Sequence, residues 1–467
     1  MRFTDLGYVL FLVGTLVVAR LLRRSHRAAL AWLTLASLAF YGTWDPRYLL
    51  LLGVSTLLDY GVCTALGRTG HPAARRALVG ASIVGNLGLL GVFKYGDFVL
   101  EGVGVLCAGL GIPVRVPRWE LAIPIGISFY TFQTMSASID VYQRTIPPPR
   151  DPLAFLLYVS FFPQLVAGPI VRAREFLPQL AARVSATPAM LGEGVTWILV
   201  GLVKKMLLGD GLTERLVAPF FAAPHRYNAM EALLADWAAY FALYCDFSGY
   251  TDIALGSALL FGYTLPRNFD RPAFAPSPVE HWRRWHMTLG TFLRDYLYLP
   301  LGGSRVSTAR AWGNLFLVFL VSGIWHGVGG SFVVMGIANG ILVATWRLLR
   351  PAPSPNRAVR ALECLLAFQL TALTVLCLRP IALADLAGAF VRLGAWSEPA
   401  GGLATPAGIL LLGGVVGLHL SPRGWKDALH AWGREAPAWS LAAVILLVGG
   451  ACALVATSTR DFAYFQF

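Results

Sequence analysis

The chain has 467 residues, of which 56% are hydrophobic and 13% are charged, and its mean hydropathy is +0.62. Soluble globular domains carry about 25% charged residues, so this composition, with repeated apolar runs of about 20 residues, excludes an ordinary soluble domain and indicates a polytopic membrane protein. The formal net charge is +13, but the arginines stand in short loops between apolar runs. This is the bias of cytoplasmic loops, so nucleic-acid binding is not needed to explain the charge.

Apolar segments along the chain predict an all-α protein with one membrane-embedded domain covering residues 1–467. The predicted spans lie near residues 6–22, 28–44, 48–66, 77–93, 121–138, 153–170, 192–208, 312–325, 331–347, 361–378, 403–420 and 438–457. One or two less clearly marked passages lie between residues 231 and 300. The first run has no charged leader and no small-residue cleavage site, which predicts a retained span and not a signal peptide.

Basic loops set the predicted orientation. Arginines concentrate at 20–27, 68–76 and 347–360, and the positive-inside rule places these loops in the cytoplasm. The N-terminus is then outside, as is the acidic-leaning loop 381–400. The basic loop 422–434 is inside, and the last span returns the C-terminus to the outside.

Two segments in the middle of the chain do not read as simple spans. The run at 153–170 has arginines on both flanks and contains two prolines, which break helices. We predict a broken or re-entrant helix that lines a cavity, because irregular backbone in a membrane must be covered by protein or line a water-filled space. The proline- and arginine-rich stretch 266–284 is predicted to lie at the cytoplasmic interface, with Trp282 and Trp285 as anchors.

The densest run of polar, aromatic and histidine residues extends from Asp246 to His326. Ionisable groups are costly inside a membrane, so they mark candidate functional sites. His326 ends an apolar run, and an imidazole with a reference pKa of about 6.5 suits general-base catalysis. The glycines at 323 and 327 allow a backbone or ligand to approach closely. The alternative is a histidine that is hydrogen-bonded to a carbonyl group within a helix bundle.

A second candidate group surrounds His286. Arg283 and Arg284 could bind an anionic phosphate or a pantetheine-type donor at the cytoplasmic face; the alternative is positive-inside charge at a helix end. His281 and His286 are five residues apart, so on a helix they point about 140° apart and do not form a metal pair. The sequence contains no HExxH motif and no Cys/His cluster with zinc spacing, so we predict no metal.

The remaining charged residues near the apolar runs are predicted to be structural. Asp246 and Asp252 are expected to form ion pairs and not to act directly in catalysis. The arginines considered as their partners are Arg267, Arg271 and Arg294, and Asp295 is expected to pair similarly with Arg294. Lys204 and Lys205 interrupt an apolar run and are expected to extend to the interface. The six cysteines have no CxxC spacing and are expected to be small buried hydrophobes.

Motifs along nearly the whole chain resemble the membrane-bound O-acyltransferase (MBOAT) family. The resemblance is to its bacterial alginate O-acetylation branch, which includes peptidoglycan O-acetyltransferases and is related to the D-alanyl transferase of teichoic acids. The central string is PSPVEHWRRWHMTLGTFLRDYLYLPLGGSR at 276–305, followed by SGIWHG at 322–327. Further matches are FKY at 93–95, PIGISFYTFQ at 124–133, AGPIVR at 167–172, DFSGYTD at 246–252 and YFQF at 464–467.

The resemblance implies a ring of tilted helices around a thinned centre, with roughly 11 to 13 membrane or re-entrant helices and a tunnel from cytoplasm to exterior. The core motifs lie at 121–347, peripheral helices at 1–93 and 361–457, and an aromatic tail at 458–467.

The family's near-invariant histidine corresponds to His326, and its second conserved histidine to His286. The resemblance therefore implies that His326 is the general base or acyl-handling residue, and that His286 positions or polarises the donor. Trp285 and Trp325, beside these histidines, are candidate donor-binding residues.

Three positions depart from the family pattern. His281 stands where the family often has phenylalanine, so we do not expect it to be catalytic. A second WGxxHG-like element reads VMGIANG at 334–340, with methionine and asparagine in place of tryptophan and histidine. The usual FFR of a late helix is replaced by Leu378-Arg379. These changes leave the acceptor open.

The implied activity is acetyl transfer from a cytoplasmic donor such as acetyl-CoA, with no bound cofactor, to an extracellular or periplasmic polysaccharide. Such relatives work in the bacterial inner membrane, among its lipids, with an extracytoplasmic SGNH-like partner. Tyr464, in the aromatic tail, is a candidate acyl relay; the alternative is an interfacial anchor. Two other classes stay open: a transporter or flippase for a lipid-linked sugar, and a non-catalytic scaffold of a polysaccharide export system.

Overall fold

A computed structural model of the chain describes residues 1–166, 168–349, 355–379 and 381–455. Every element of regular secondary structure within these residues is a helix, which confirms the all-α prediction. The chain divides into two compact units, Met1–Ser185 and Ala186–Phe467.

The first unit contains eight α-helices and one short 3₁₀ helix, Leu22–Arg24, within its described residues. The α-helices are α1 (Leu6–Leu21), α2 (His26–Gly42), α3 (Tyr48–Arg68), α4 (Pro72–Gly109), α5 (Ile127–Tyr142), α6 (Pro152–Ser160), α7 (Phe162–Leu165) and α8 (Ala173–Ala181). The prediction of a broken helix at 153–170 is confirmed, because α6 ends at Ser160 and α7 begins two residues later. Protein covers this break: Phe161 is fully buried, and the Phe162 backbone N–H donates to Ser37 Oγ at 3.1 Å.

A buried carboxylate joins three helices of this unit. Asp59 of α3 is fully buried and accepts hydrogen bonds from Ser82 Oγ at 2.5 Å, Ser138 Oγ at 2.5 Å and Asn86 Nδ2 at 2.6 Å. Small polar side chains join membrane helices in this way. The network explains why α3, α4 and α5 tolerate polar residues on otherwise apolar helices.

The second unit contains thirteen α-helices and one short 3₁₀ helix, Pro224–Arg226, within its described residues. The α-helices are α9 (Pro188–Leu202), α10 (Asp210–Leu212), α11 (Ala218–Ala222), α12 (Ala229–Leu260), α13 (Pro278–Arg284), α14 (Met287–Leu293), α15 (Thr308–His326), α16 (Gly330–Leu349), α17 (Arg357–Leu376), α18 (Leu383–Arg392), α19 (Pro406–Leu420), α20 (Arg423–Glu435) and α21 (Ala438–Val455). Between them lie three π-helical segments, Val203–Gly209, Thr213–Val217 and Arg294–Tyr298.

Helix α12 is the centre of the second unit, and α9 packs closely along it. A Cβ on Gly201 would lie 2.5 Å from the Gly249 carbonyl oxygen, and one on Gly194 would lie 2.8 Å from the Gly256 oxygen. These glycines therefore allow the two backbones to touch, as small residues do between membrane helices.

Six helical stretches of the described chain are long and apolar enough to cross a membrane, and a seventh span results if α19 and α20, bent by 85°, count together. The six are Leu6–Arg24, Tyr48–Arg68, Pro72–Gly109, Gly330–Leu349, Arg357–Leu376 and Ala438–Val455. The other predicted spans also form helices, but these are shorter, broken or less apolar. The stretch 266–284 contains no span, as predicted: it is irregular before the seven-residue α13. The protein is a multi-pass membrane protein.

Candidate functional site

Two lysines supply the counter-charges of the α12 aspartates. Lys205 Nζ lies 2.5 Å from Asp246 and 2.8 Å from Asp210, and Lys204 Nζ lies 2.5 Å from Asp252. The prediction that Asp246 and Asp252 form ion pairs is confirmed. The predicted arginine partners are wrong, because α9 and the following π-helical segment pack directly on α12.

The two lysines are enclosed by protein and paired, and whether they reach the interface stays a prediction. The Lys205 side chain is 1% exposed and that of Lys204 is 17% exposed. A buried ammonium group requires paired carboxylates, and α12 supplies them. The third predicted pair is confirmed, since Arg294 Nε lies 2.7 Å from Asp295.

The turn that carries His286 is held by a side chain to which sequence reasoning assigned no role. Asn268 is fully buried. Its backbone carbonyl oxygen accepts a hydrogen bond from the Met287 N–H at 2.9 Å, and its side-chain Oδ1 accepts one from Thr288 Oγ1 at 2.6 Å. Its Nδ2 donates to Thr251 Oγ1 of α12 at 3.4 Å. Asn268 thus joins α12 to the first turn of α14. The available signal was an asparagine amid the charged and aromatic residues of PRNFDRP.

His286 occupies an unusual backbone conformation at this turn. Its φ is +42°, in the left-handed region, and it immediately precedes α14. Such a conformation costs a non-glycine residue about 1–3 kcal/mol, and such residues cluster at functional sites. The surrounding structure therefore fixes this imidazole in place.

Burial sets the protonation state of His286. The side chain is 3% exposed, and the Phe247 ring meets it edge-on at 4.7 Å between centroids. Burial lowers the pKa of His286 to about 3, because an apolar environment disfavours the imidazolium form. The turn lies outside the candidate membrane spans. His286 is therefore neutral at physiological pH and can serve as a hydrogen-bond donor or acceptor.

Trp325 brings the two predicted histidines together. His326 is the last residue of α15 and is 5% exposed. The Trp325 ring lies 4.9 Å from the His326 ring and 6.4 Å from the His286 ring, between centroids. The structure thus places both imidazoles around one buried indole, although 40 residues separate them in the sequence.

A close helix crossing positions the C-terminal end of α15. A Cβ on Gly323 would overlap the Phe332 carbonyl oxygen and would lie 2.8 Å from the Gly336 Cα of α16. Gly323 was expected to let a backbone or ligand approach closely, and the backbone that approaches it is that of α16. This contact lies one turn before His326.

The prediction that Trp285 anchors the protein at the interface is wrong. Trp285 is 3% exposed and packs within an aromatic cluster, with the Phe269 ring at 5.3 Å and the Tyr240 ring at 5.4 Å. His281 stacks on it at 5.7 Å, and the His281 Nδ1 lies 3.0 Å from the Pro272 carbonyl oxygen. Aromatic side chains from α12 and α13 thus bury Trp285, which supports the turn at His286.

Trp282 is half-buried and bonded to the protein. Its Nε1 donates to Asn339 Oδ1 at 3.0 Å, and Thr374 Oγ1 donates to the same oxygen at 3.0 Å. Asn339 is fully buried and belongs to the VMGIANG element at 334–340. In this chain the asparagine joins α13, α16 and α17.

The two candidate donor-binding arginines share one carboxylate. Arg284 lies 2.9 Å from Glu280 and Arg283 lies 3.6 Å from it, and the Arg283 side chain is 71% exposed. Two guanidinium groups against one carboxylate leave a net positive charge. An accessible guanidinium can bind a phosphate.

Two further predictions concern metal and the C-terminal tail. The described part of the chain contains no group of three His, Cys, Asp or Glu residues placed to hold a metal ion. Tyr464 and the rest of the tail motif lie outside the described residues, as does Ala167 of the AGPIVR motif.

Comparison with known proteins agrees with the motifs. Residues 120–382 match the model of MBOAT, the membrane-bound O-acyltransferase family. A probable alginate O-acetylase AlgI of Pseudomonas putida is 36% identical over 70% of this chain and 66% of its own length. The corresponding Pseudomonas aeruginosa protein is 36% identical over 72% of this chain and 64% of its own.

A relative that acts on another polymer by name is about as similar. A peptidoglycan O-acetyltransferase of Helicobacter pylori is 35% identical over 68% of this chain and 64% of its own length. The aligned chain therefore spans just under two thirds of the length of these relatives.

Proposed function

Since the chain belongs to the membrane-bound O-acyltransferase family, we propose that it is an enzyme that transfers an acyl group to a hydroxyl group. The observation that carries the proposal is the pair of buried imidazoles, His286 and His326, around Trp325. Both lie within the stretch that matches the family model. The alginate and peptidoglycan O-acetyltransferases among the relatives support acetyl as the group transferred.

His326 is the proposed general base. Its imidazole removes the proton of an acceptor hydroxyl while the hydroxyl oxygen attacks the thioester carbonyl carbon. The new C–O bond forms, the C–S bond breaks, and the imidazolium returns its proton to the departing thiolate. A positioned acid–base residue contributes about 10²–10⁴-fold to such a step.

His286 is proposed to position and polarise the donor. Its pKa of about 3 keeps it neutral, so it can donate one hydrogen bond to the thioester oxygen without a buried positive charge. Trp325 is proposed to line the donor site between the two histidines. Trp285 is proposed to act behind His286 as a positioning residue, because it is packed among aromatic rings.

The proposed donor is an acyl thioester of the acetyl-CoA type, used as a substrate and not as a bound cofactor. Arg283 and Arg284 support this choice, since their net positive charge next to one carboxylate suits a phosphate-bearing molecule. We propose that the donor approaches from the cytoplasmic side of α13.

The proposed acceptor pathway leads to an extracytoplasmic polysaccharide in the inner membrane system of a bacterium, with an SGNH-like protein as the partner that completes the transfer. The charge bias of the loops supports an outside position for both termini. Tyr464 is proposed as an acyl relay at the tunnel mouth. Full acetylation of the product by a Tyr464→Phe variant would remove the relay from the scheme.

The central test is His326→Ala in the native host, with ester-linked acetate on the exported polymer as the readout. We expect acetate to fall by about 10²-fold or more, because the general base is lost. The control is His225→Ala, at an exposed histidine of the same unit, with membrane abundance measured for both variants. Unchanged acetate in the His326 variant would exclude the enzymatic role and favour a transporter or scaffold.

A further inference from the structure

A cavity of about 580 Å³ lies in the same unit as the histidines, and neither His286 nor His326 lines it. Its walls come from α9 and the π-helical segment after it, from α12 and the loop after it, and from helices α19 to α21. Helices α19 to α21 lie beyond residues 120–382, the stretch that matches the family model. The cavity therefore needs its own explanation.

One side of this cavity is a cationic cluster around Trp197, which is 3% exposed. The His430 ring stacks on Trp197 with 3.9 Å between centroids. Lys426 Nζ lies 4.8 Å from the Trp197 ring centroid, and Arg267 Cζ lies 5.5 Å from it. We call Trp197, Arg267, Lys426 and His430 the tryptophan cluster.

The charges of this cluster are not neutralised by direct ion pairs. Among the described residues no carboxylate lies within 4.0 Å of Arg267 or Lys426, whereas the nearby Lys204 is paired with Asp252. His430 is 4% exposed, and neither of its ring nitrogens has a hydrogen-bond partner in the described chain. Two exposed aspartates, Asp270 and Asp427, also line the cavity. The cluster thus offers two cations and an unsatisfied buried imidazole to an anion.

The other side of the cavity is apolar. Leu199, Val203, Val415, Val444 and Val448 line it. Val444 and Val448 belong to α21, a candidate membrane span that leaves most of its surface exposed. A small hydrated anion would gain no binding energy from this apolar wall, whereas an acyl chain would displace the water along it and bury apolar surface.

Helix α20 places the cationic side at the depth of lipid headgroups. It is bent by 85° from α19, it carries Lys426 and Arg434, and its Trp425 is 53% exposed and its Trp432 is 37% exposed. A basic amphipathic helix with exposed tryptophans lies in the membrane interface. The phosphate of a bilayer lipid occupies the same depth.

We propose that this cavity binds an anionic glycerophospholipid of the surrounding membrane. The lipid phosphate lies at Arg267, Lys426 and His430, and one acyl chain extends along Leu199, Val444 and Val448. Basic pockets between membrane helices bind anionic headgroups in this way. The binding goes beyond the proposed acyl transfer, because it does not require His286 or His326.

The competing occupant is the acyl donor, because the cavity wall is connected to the histidines. Phe269 lines the cavity and packs on Phe247 at 5.1 Å, and Phe247 packs on His286 at 4.7 Å. A donor whose phosphates occupied the tryptophan cluster would place its acyl end towards these rings. Experiments on the cavity must separate the two occupants.

The test is native mass spectrometry of the full chain in detergent, titrated with phosphatidylglycerol or with phosphatidylcholine of identical acyl chains. We expect the wild type to bind phosphatidylglycerol about tenfold more tightly. The double variant Arg267→Gln/Lys426→Gln should bind phosphatidylglycerol about tenfold more weakly, because each basic side chain near an anionic headgroup adds to the binding free energy. Arg434→Gln is the matched control on α20, because Arg434 pairs with Glu193 at 3.2 Å and does not line the cavity.

Several results would overturn the proposal. Equal affinity for the two lipids would do so, as would an equal loss in the Arg434 variant. Displacement of the lipid by inorganic phosphate would indicate a simple anion site, and displacement by coenzyme A that depends on Arg267 and Lys426 would indicate the donor site. Should the double variant fail to fold, Lys426→Gln alone should lose about fivefold, with Lys426→Arg restoring the affinity. The His326→Ala variant should bind the lipid like the wild type whatever its acetylation activity.

Discussion

At the scale of single residues, His281 and His286 show how two nearby histidines can differ in role. Both are buried, but His281 stacks on Trp285 and its Nδ1 is bonded to the backbone at Pro272. His286 instead lies beside Phe247 and Trp325, at the turn before α14. The first is therefore a packing residue, and the second faces the ring cluster that contains His326.

A His281→Phe variant should keep its acyl-transfer activity within a few-fold and should become less sensitive to acid. Burial lowers the folded-state pKa of His281 to about 3, and the unfolded imidazole titrates at about 6.5. Between these values the unfolded state binds the extra proton, so the free energy of unfolding falls by about 1.4 kcal/mol per pH unit as pH drops below 6.5. Phenylalanine removes this contribution.

The measurement is the free energy of unfolding in detergent at pH 7.5 and pH 5.5. We expect the difference between the two pH values to shrink by about 1.4 kcal/mol in His281→Phe, and to stay unchanged in His225→Phe, a variant at an exposed position. A wild-type slope in the His281 variant would contradict the assignment of a buried, neutral imidazole.

Asn268 should affect catalysis through His286. Asn268→Ala removes the bonds to Thr288 and Thr251 and leaves the left-handed turn without its link to α12. Because small displacements of a catalytic group cost up to about 10²-fold, we expect kcat to fall about 10- to 100-fold with a smaller change in KM. Asn356→Ala, at the exposed N-terminus of α17, is the control; an equal loss of kcat there would exclude a specific positioning role.

At the scale of residues, the sequence predicted the candidate site best where a candidate catalytic residue lies within a family motif. His286 and His326 were predicted from their motifs, and the structure brings them to one indole. The lysine partners of Asp246 and Asp252 were not predicted, because the linear sequence does not show that α9 packs on α12. Asn268 was missed for a related reason: its hydrogen bonds join parts of the chain 17 and 20 residues away.

At the scale of elements, the α15–α16 crossing connects helix packing to the site. Gly323 contacts the α16 backbone, and three residues later α15 ends at His326. Gly313 lies on the same helix, but a Cβ there would meet nothing within 4 Å. Substituting alanine at both glycines therefore separates two effects: a change of helix propensity, which both positions share, and a clash with α16, which occurs only at Gly323.

Gly323→Ala should reduce acyl transfer at least tenfold, because the added methyl group forces α15 away from α16 next to His326. Overpacking of this kind costs about 1–3 kcal/mol, which thermal unfolding in detergent would detect. Gly313→Ala should keep full activity and gain up to about 1 kcal/mol, since alanine favours a helix. Similar activity in both variants would show that the crossing does not position the histidine.

Element boundaries also show which features depend on tertiary structure. The span predicted at 192–208 is helical throughout, yet it passes into a π-helical segment from Val203 to Gly209. The segment turns Lys205 towards Asp210 and Asp246, and hydropathy carries no information about such a change. The break at Phe161, in contrast, was predicted because proline is a local signal.

At the scale of the whole molecule, charge and hydropathy together predict an orientation. The candidate spans Leu6–Arg24, Tyr48–Arg68 and Pro72–Gly109 are joined by loops that alternate in basic content. The arginines near residue 70 predict a cytoplasmic position for that loop and an outside position for the loop after α4. The same reasoning places the basic helix α20 inside, where anionic lipids of the cytoplasmic leaflet are available.

Substituted-cysteine labelling of the full chain tests this orientation. In a variant whose six native cysteines are replaced by alanine or serine, we expect Pro113→Cys, after α4, to react with a membrane-impermeant maleimide in intact spheroplasts. Thr69→Cys, before α4, should react after the membrane is opened. The two sites flank one helix, so each is the control of the other. Labelling of Thr69→Cys but not Pro113→Cys in intact spheroplasts would invert the orientation predicted for α4, because the loop before it would then lie outside and the loop after it in the cytoplasm.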